Sequence, residues 1–197
     1  MENLEQYIDF ITNIKISHDK VTILTGRNAS GKSLIRKLLN SYLEEVLNKK
    51  KVLVTHSSQE IRTKSNPSMG ALGSAAHDLP WLATSHNTIH TIDVAFKYEN
   101  ADYIVIDEPE IGIGEELQLG LADYLNEKIM SVKCGVMVIT HSKHIVKNLK
   151  HDDFINLENM SEDEWLNREI KPVSVEEFKK FASLMHSAIQ DRINKNK

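Results

Sequence analysis

The sequence predicts an α/β fold built on a mainly parallel sheet with helices on both faces. Three observations carry this reading. Short β-branched or continuously apolar runs alternate along the chain with stretches whose apolar residues recur every three or four positions. The apolar runs lack the in-out alternation of a half-solvated sheet, so they are expected to be covered on both faces, as parallel strands are. A glycine-containing loop joins the first run directly to a helix, and in such folds chemistry sits in loops at the C-terminal ends of the strands.

The elements follow in order. Val21–Thr25 is a β-branched strand. After its loop, Leu34, Ile35, Leu38, Leu39, Tyr42, Leu43, Val46 and Leu47 form one helical stripe, with Arg36, Lys37, Glu44 and Glu45 on the other face. Residues 51–55 read as a second strand, and 65–80, rich in Ser, Gly, Ala and Pro without a period, as a loop or flap. A helix from Ser85 places Ile89, Ile92 and Phe96 on one side. It leads to the apolar strand 103–106, which is tipped by Asp107. Residues 115–130 repeat the helical pattern through Leu117, Leu121, Leu125 and Ile129, and 135–140 is another apolar strand. Ser161 with Glu164, and Ser174 with Glu177, fit the S-x-x-E capping box; the second opens a helix with Phe178, Phe181, Met185 and Ile189 on one face.

Composition narrows the class further. The 197 residues hold one substantial core, and no composition shift marks a boundary. The 24 Lys+Arg against 28 Asp+Glu leave a net charge of −4, so charge alone indicates neither nucleic acid nor an anionic membrane as partner. A single Cys134 forms no intramolecular disulfide, and there is no C-x-x-C. The start MENLEQYIDF lacks a cationic and apolar leader, and no run approaches the ~18 apolar residues of a membrane span. A cytoplasmic protein is expected.

Gly26, Arg27, Asn28, Ala29, Ser30, Gly31, Lys32 and Ser33 match G-x-x-x-x-G-K-[ST], directly after a strand and before a helix. Backbone N–H groups of such a loop, with the helix N-terminus that starts near Leu34, wrap a phosphate. Lys32 is placed for the β- and γ-phosphates and the Ser33 hydroxyl for Mg²⁺. Asp107 and Glu108 end the strand 75 residues after Lys32. Beside a phosphate loop, Asp107 is assigned to the metal and Glu108 to the general base that polarises the attacking water. No N-K-x-D guanine reader is present, so ATP is preferred to GTP.

GRNASGKS, then YIVIDEPEIGIG, then VMVITHS together resemble the ATP-binding-cassette (ABC) ATPase superfamily of P-loop nucleoside triphosphatases. The likeness covers roughly residues 14–150, with residues 161–195 as a helical extension of the same domain. DEPEIGIGEELQLGLADYL looks most like the soluble branch of overcoming-lysogenization-defect nucleases and DNA-repair ABC ATPases. The resemblance implies that His141 is the switch histidine at the γ-phosphate. It implies that Ser85 and Asn87, in the segment Ala83-Thr84-Ser85-His86-Asn87-Thr88, stand in for the signature that serves ATP held by a second copy. It offers Gln59, 27 residues after Lys32, as the metal-sensing glutamine. Two departures stand out: His86 and Asn87 replace the two signature glycines, and Gly114 replaces an Asp or His six residues after Glu108.

The reading that follows is a Mg²⁺-dependent ATP-hydrolysing switch, dimerising around ATP and driving an effector protein or nuclease, with no membrane partner. Three alternatives stay open: the ATP-binding subunit of a membrane transporter, a non-hydrolysing module that dimerises on ATP, and a small-molecule or nucleotide kinase. The pairs His86/His90 and His141/His144 lack the companions of a zinc motif. Lys49, Lys50 and Lys51 read as a helix C-terminus complementing the dipole.

Overall fold

The computed structural model of the chain describes residues 20–27, 32, 36, 52–56, 84–98, 101–170, 172, 174–177, 179, 180 and 183. Of 52–56, 84 and 87 it describes the backbone. The flap expected at 65–80 lies outside these residues.

Five strands form one sheet: β1 (Val21–Thr25), β2 (Val52–His56), β3 (Tyr103–Asp107), β4 (Gly135–Ile139) and β5 (Asp153–Asn156), in the order β2-β3-β4-β1-β5. Every neighbouring pair is parallel. The strands expected at 51–55, 103–106 and 135–140 therefore form with shifts of one residue at their ends. β3 and β4 are buried at every position, as the absence of alternation in their sequences requires. The strand β5 carries no such signal. Its four residues, Asp-Phe-Ile-Asn, are half-buried except Asn156, and pairing with β1 at the sheet edge, not apolar pattern, makes them a strand.

Four described helices accompany the sheet: α1 (Thr84–Lys97), α2 (Glu115–Met130), α3 (Lys143–Asn148) and α4 (Glu162–Asn167). The connections β2 to β3, β3 to β4 and β4 to β5 all step across the sheet in one direction. Right-handed crossovers then place α1, α2 and α3 on one face, and α2 touches both others. Of the helix expected over 34–47, Arg36 is among the described residues. Ile92, Ala95 and Phe96 of α1 and Leu121 and Leu125 of α2 meet Ile104, Ile106, Val136 and Val138 of the sheet in one apolar core. Between α1 and α2, Asp93 accepts from Lys128 and Tyr124 and pairs with Lys97 one turn along. Lys128 and Lys97 hold this carboxylate well below its ordinary range.

Contacts divide the chain into two compact units, Met1–Leu166 and Asn167–Lys197. In the first, Trp165 of α4 is fully buried and meets Phe154 edge-on at 6.3 Å between ring centres. Ser161 begins α4 as expected: its N–H and hydroxyl donate to Glu164 Oε2 at 2.8 and 2.9 Å, and Glu164 N returns a bond to Ser161 Oγ. In the second unit, Ser174 and Glu177 repeat this box. No helix among the described residues is long and apolar enough to cross a membrane.

Candidate functional site

The parallel register brings the ends of β1, β4 and β3 side by side, and the predicted chemistry gathers there. After β1, Gly26 and Arg27 open the loop. The ammonium of Lys32 folds back onto it, donating to Gly26 O at 3.1 Å and Arg27 O at 2.8 Å. Two of its three donors are thus engaged, and the side chain is buried. Burial pushes the Lys32 ammonium down from its ordinary value, against an upward pull from Glu108, Asp107, Glu158 and Glu110.

The loop is pinned from β5. Glu158 Oε1 accepts from Arg27 N at 2.8 Å, and the Arg27 guanidinium stands 3.6 Å from Oε2. Glu158 is held in place by Asn156, whose Oδ1 accepts from Glu158 N and Met160 N while its Nδ2 donates to Thr25 Oγ1 at 2.9 Å. Asn159 takes φ 58° to close that turn. One buried amide therefore fastens the end of β1 to the turn that grips the loop. None of this was legible beforehand, because β5 had no apolar signal to place its turn.

Asp107 ends β3 at 3% exposure. Its Oδ2 lies 3.1 Å from the guanidinium of Arg36, which is itself 13% exposed. Arg36, expected on the face away from the apolar stripe, is thus one half of a nearly buried ion pair with the metal-assigned carboxylate. Burial drives the Asp107 carboxyl up to about 6, despite the opposing pull of Arg36; the negative charges of Glu108 and Glu110 add to the rise.

Glu108 has φ 51°, a left-handed conformation that costs a non-glycine residue ~1–2 kcal/mol. Its N–H still donates across to Ile139 O at 2.8 Å, extending the β3–β4 ladder by one bond. The turn that follows directs its carboxylate to His141, with Oε1 3.0 Å from Nε2. Two residues on, Glu110 Oε1 accepts from Thr140 Oγ1 at 2.9 Å and from His141 N at 2.7 Å. Burial raises the Glu110 carboxyl above its ordinary value. The motif DEPE displayed this residue without indicating a role for it.

The structure therefore brings together Gly26, Arg27, Lys32, Asp107, Glu108 and His141. Asn28, Ala29, Ser30, Gly31, Ser33, Leu34 and Gln59 lie outside the described residues. Ser85, half-buried, and Asn87 sit in the first turn of α1 rather than at a strand end. One turn further, Thr88 Oγ1 donates to Ile111 O at 3.4 Å, joining α1 to the turn after β3. Gly114 is extended, at φ −61° and ψ 154°, and a Cβ there would meet nothing within 4 Å; the fold does not require glycine at this point. No group of three or more His, Cys, Asp or Glu able to hold a metal is found among the described residues. The donors assigned to the metal, the buried Asp107 carboxylate, the Ser33 hydroxyl and the Gln59 amide oxygen, are hard oxygens of the kind Mg²⁺ takes together with phosphate oxygens.

No family model matches the chain, and no curated protein does. Among solved structures, it is similar to the dimeric ATP-binding cassette MJ0796 bound to ADP and Pi, at 12% identity, TM-score 0.46, 67% of this chain and 79% of that one. It is similar to a nucleotide-free ATP-binding cassette from an ABC transporter, at 15% identity, TM-score 0.43, 72% of this chain and 79% of that one. A chain of ribosome-bound archaeal Pelota and ABCE1 matches at 17% identity and TM-score 0.48, with 72% of this chain spanning 28% of that one. At these values the functional reading rests on this chain's own residues.

Proposed function

We propose that the chain is an ATP-binding and ATP-hydrolysing switch of ATP-binding-cassette type. The observation that carries the proposal is the convergence of Lys32, Asp107 and the Glu108–His141 pair at the ends of three adjacent parallel strands. Lys32, released from the loop carbonyls, neutralises the β- and γ-phosphates. Asp107, with Ser33 and Gln59, would hold Mg²⁺, which when bound offsets the phosphate charge. Glu108 takes the proton of a water whose oxygen bonds the γ-phosphorus as the bond to the ADP oxygen breaks. His141, 3.0 Å away, fixes the orientation of that carboxylate.

A second copy completes the site. Ser85 and Asn87, at the start of α1, serve ATP held by the partner copy. Hydrolysis then opens the pair and drives an effector protein or nuclease in the cytoplasm. The soluble, repair-type branch is favoured by DEPE at 107–110.

The test is Glu108→Gln, which keeps shape and removes the base. Mg-ATP binding is expected to survive while turnover falls ~10²–10⁴-fold. Light scattering should then show a dimer only with Mg-ATP, and a second change, Ser85→Arg, should abolish it. Hydrolysis at the native rate would remove Glu108 as base. A monomer with ATP bound would remove the two-copy mechanism.

A further inference from the structure

Among the described residues outside the roles above, Glu110 stands in unusual surroundings. Its Oε1 accepts two bonds at once, from Thr140 Oγ1 and His141 N, whereas its Oε2 is buried without a hydrogen-bond partner. Burying half of a carboxylate unpartnered is costly. The location supplies a reason. β4 ends at Ile139, so the His141 N–H has passed beyond the sheet ladder and Glu110 is its acceptor.

The contacts continue in both directions. Thr140 Oγ1 accepts from Ser142 N at 2.9 Å, and Ser142 Oγ accepts from Ile145 N, capping α3. On the other side, Gln118 Nε2 donates to Glu110 O at 3.3 Å and Ile113 O at 2.8 Å, fastening the turn to α2. Residues 108 and 110 thus hold residue 141 from two sides: Glu108 meets its ring and Glu110 its backbone.

We infer that Glu110 is a positioning residue, a strut that ties the turn after β3 to the backbone of His141 and so keeps the imidazole against Glu108. The catalytic consequence rests on the ATPase reading above; the tie itself does not. An error of about 1 Å at a reacting group costs up to ~10²-fold in rate, so loss of the strut should act on turnover and leave nucleotide affinity alone.

The experiment compares the full-length native chain with Glu110→Ala, Glu110→Gln and Thr140→Val. Amide hydrogen exchange at His141 is followed without nucleotide, and Mg-ATP affinity and kcat are measured separately. Glu110→Ala should speed exchange of the His141 amide at least ~10-fold and lower kcat ~10–100-fold, with affinity unchanged within about twofold. Glu110→Gln retains an acceptor oxygen and should restore both quantities to within about threefold.

Unchanged exchange in Glu110→Ala, or a Glu110→Gln protein as impaired as the alanine variant, overturns the inference. If Glu110→Ala does not fold, Thr140→Val decides: faster exchange at residue 141 supports the strut, and unchanged exchange overturns it whatever kcat does. A native chain that hydrolyses no ATP overturns the ATPase reading, while exchange still settles whether Glu110 pins His141.

Discussion

The energetic cost of Asp107 is open to direct measurement. Its carboxyl ionises near 3.8 in an unfolded chain and at about 6 in the fold, because burial outweighs the Arg36 guanidinium 3.1 Å away. A difference of about two units at ~1.4 kcal/mol each corresponds to about 3 kcal/mol. Below pH 3.8 the group is neutral in both states and the native fold loses nothing. Between 3.8 and 6 the folded state binds more protons, so stability falls as pH rises. Above 6 both states are charged and the whole penalty is present.

Asn at this position carries no such dependence, and what it does to Arg36 is independent of pH. Urea unfolding of native protein and Asp107→Asn, without nucleotide, at pH values from 3 to 8 isolates the effect. The stability of the native chain relative to the variant should fall by about 3 kcal/mol across that range, mostly between pH 4 and 6.5. A difference flat to within ~0.5 kcal/mol, against the ~3 kcal/mol expected, would show a carboxylate in an ordinary solvated setting. A native chain that gained stability with rising pH would show that Arg36 dominates burial. Under the proposed function, the penalty leaves a charged, poorly solvated carboxylate ready for a cation.

Two further outcomes test neighbouring contacts. Arg36→Met leaves that buried carboxylate without its cation and should cost about 3–5 kcal/mol at pH 8 but much less at pH 5, where Asp107 is protonated; an equal loss at both pH values in urea unfolding would refute the pairing. Asn156→Ala removes the acceptor of Glu158 N and Met160 N and the donor to Thr25, so a loss of about 2–3 kcal/mol is expected in the same assay. A loss below ~0.5 kcal/mol would show that these groups find other partners.

Local chemistry made much of this protein legible in its sequence. Continuous apolar runs located β1, β3 and β4, because a strand buried on both faces has no polar positions to spare. Ser161 and Ser174 declared their helices through a contact spanning only three residues. The Asp107–Glu108 strand end could be placed for a similar reason: it closes a contiguous apolar string.

The tertiary structure alone decided contacts made between elements distant in sequence. Glu158 reaches Arg27 across 131 positions, and it does so because β5, a strand without a pattern, pairs beside β1. Arg36 reads as a solvated helix residue until the sheet sets Asp107 opposite it. Glu110 reads as the fourth letter of a motif until β4, lying between β1 and β3, brings Thr140 and His141 beneath it. Periodicity and short motifs encode what a segment does with its own neighbours. The partner of a buried charge is set by strand order, and strand order follows from how all the apolar faces are covered at once.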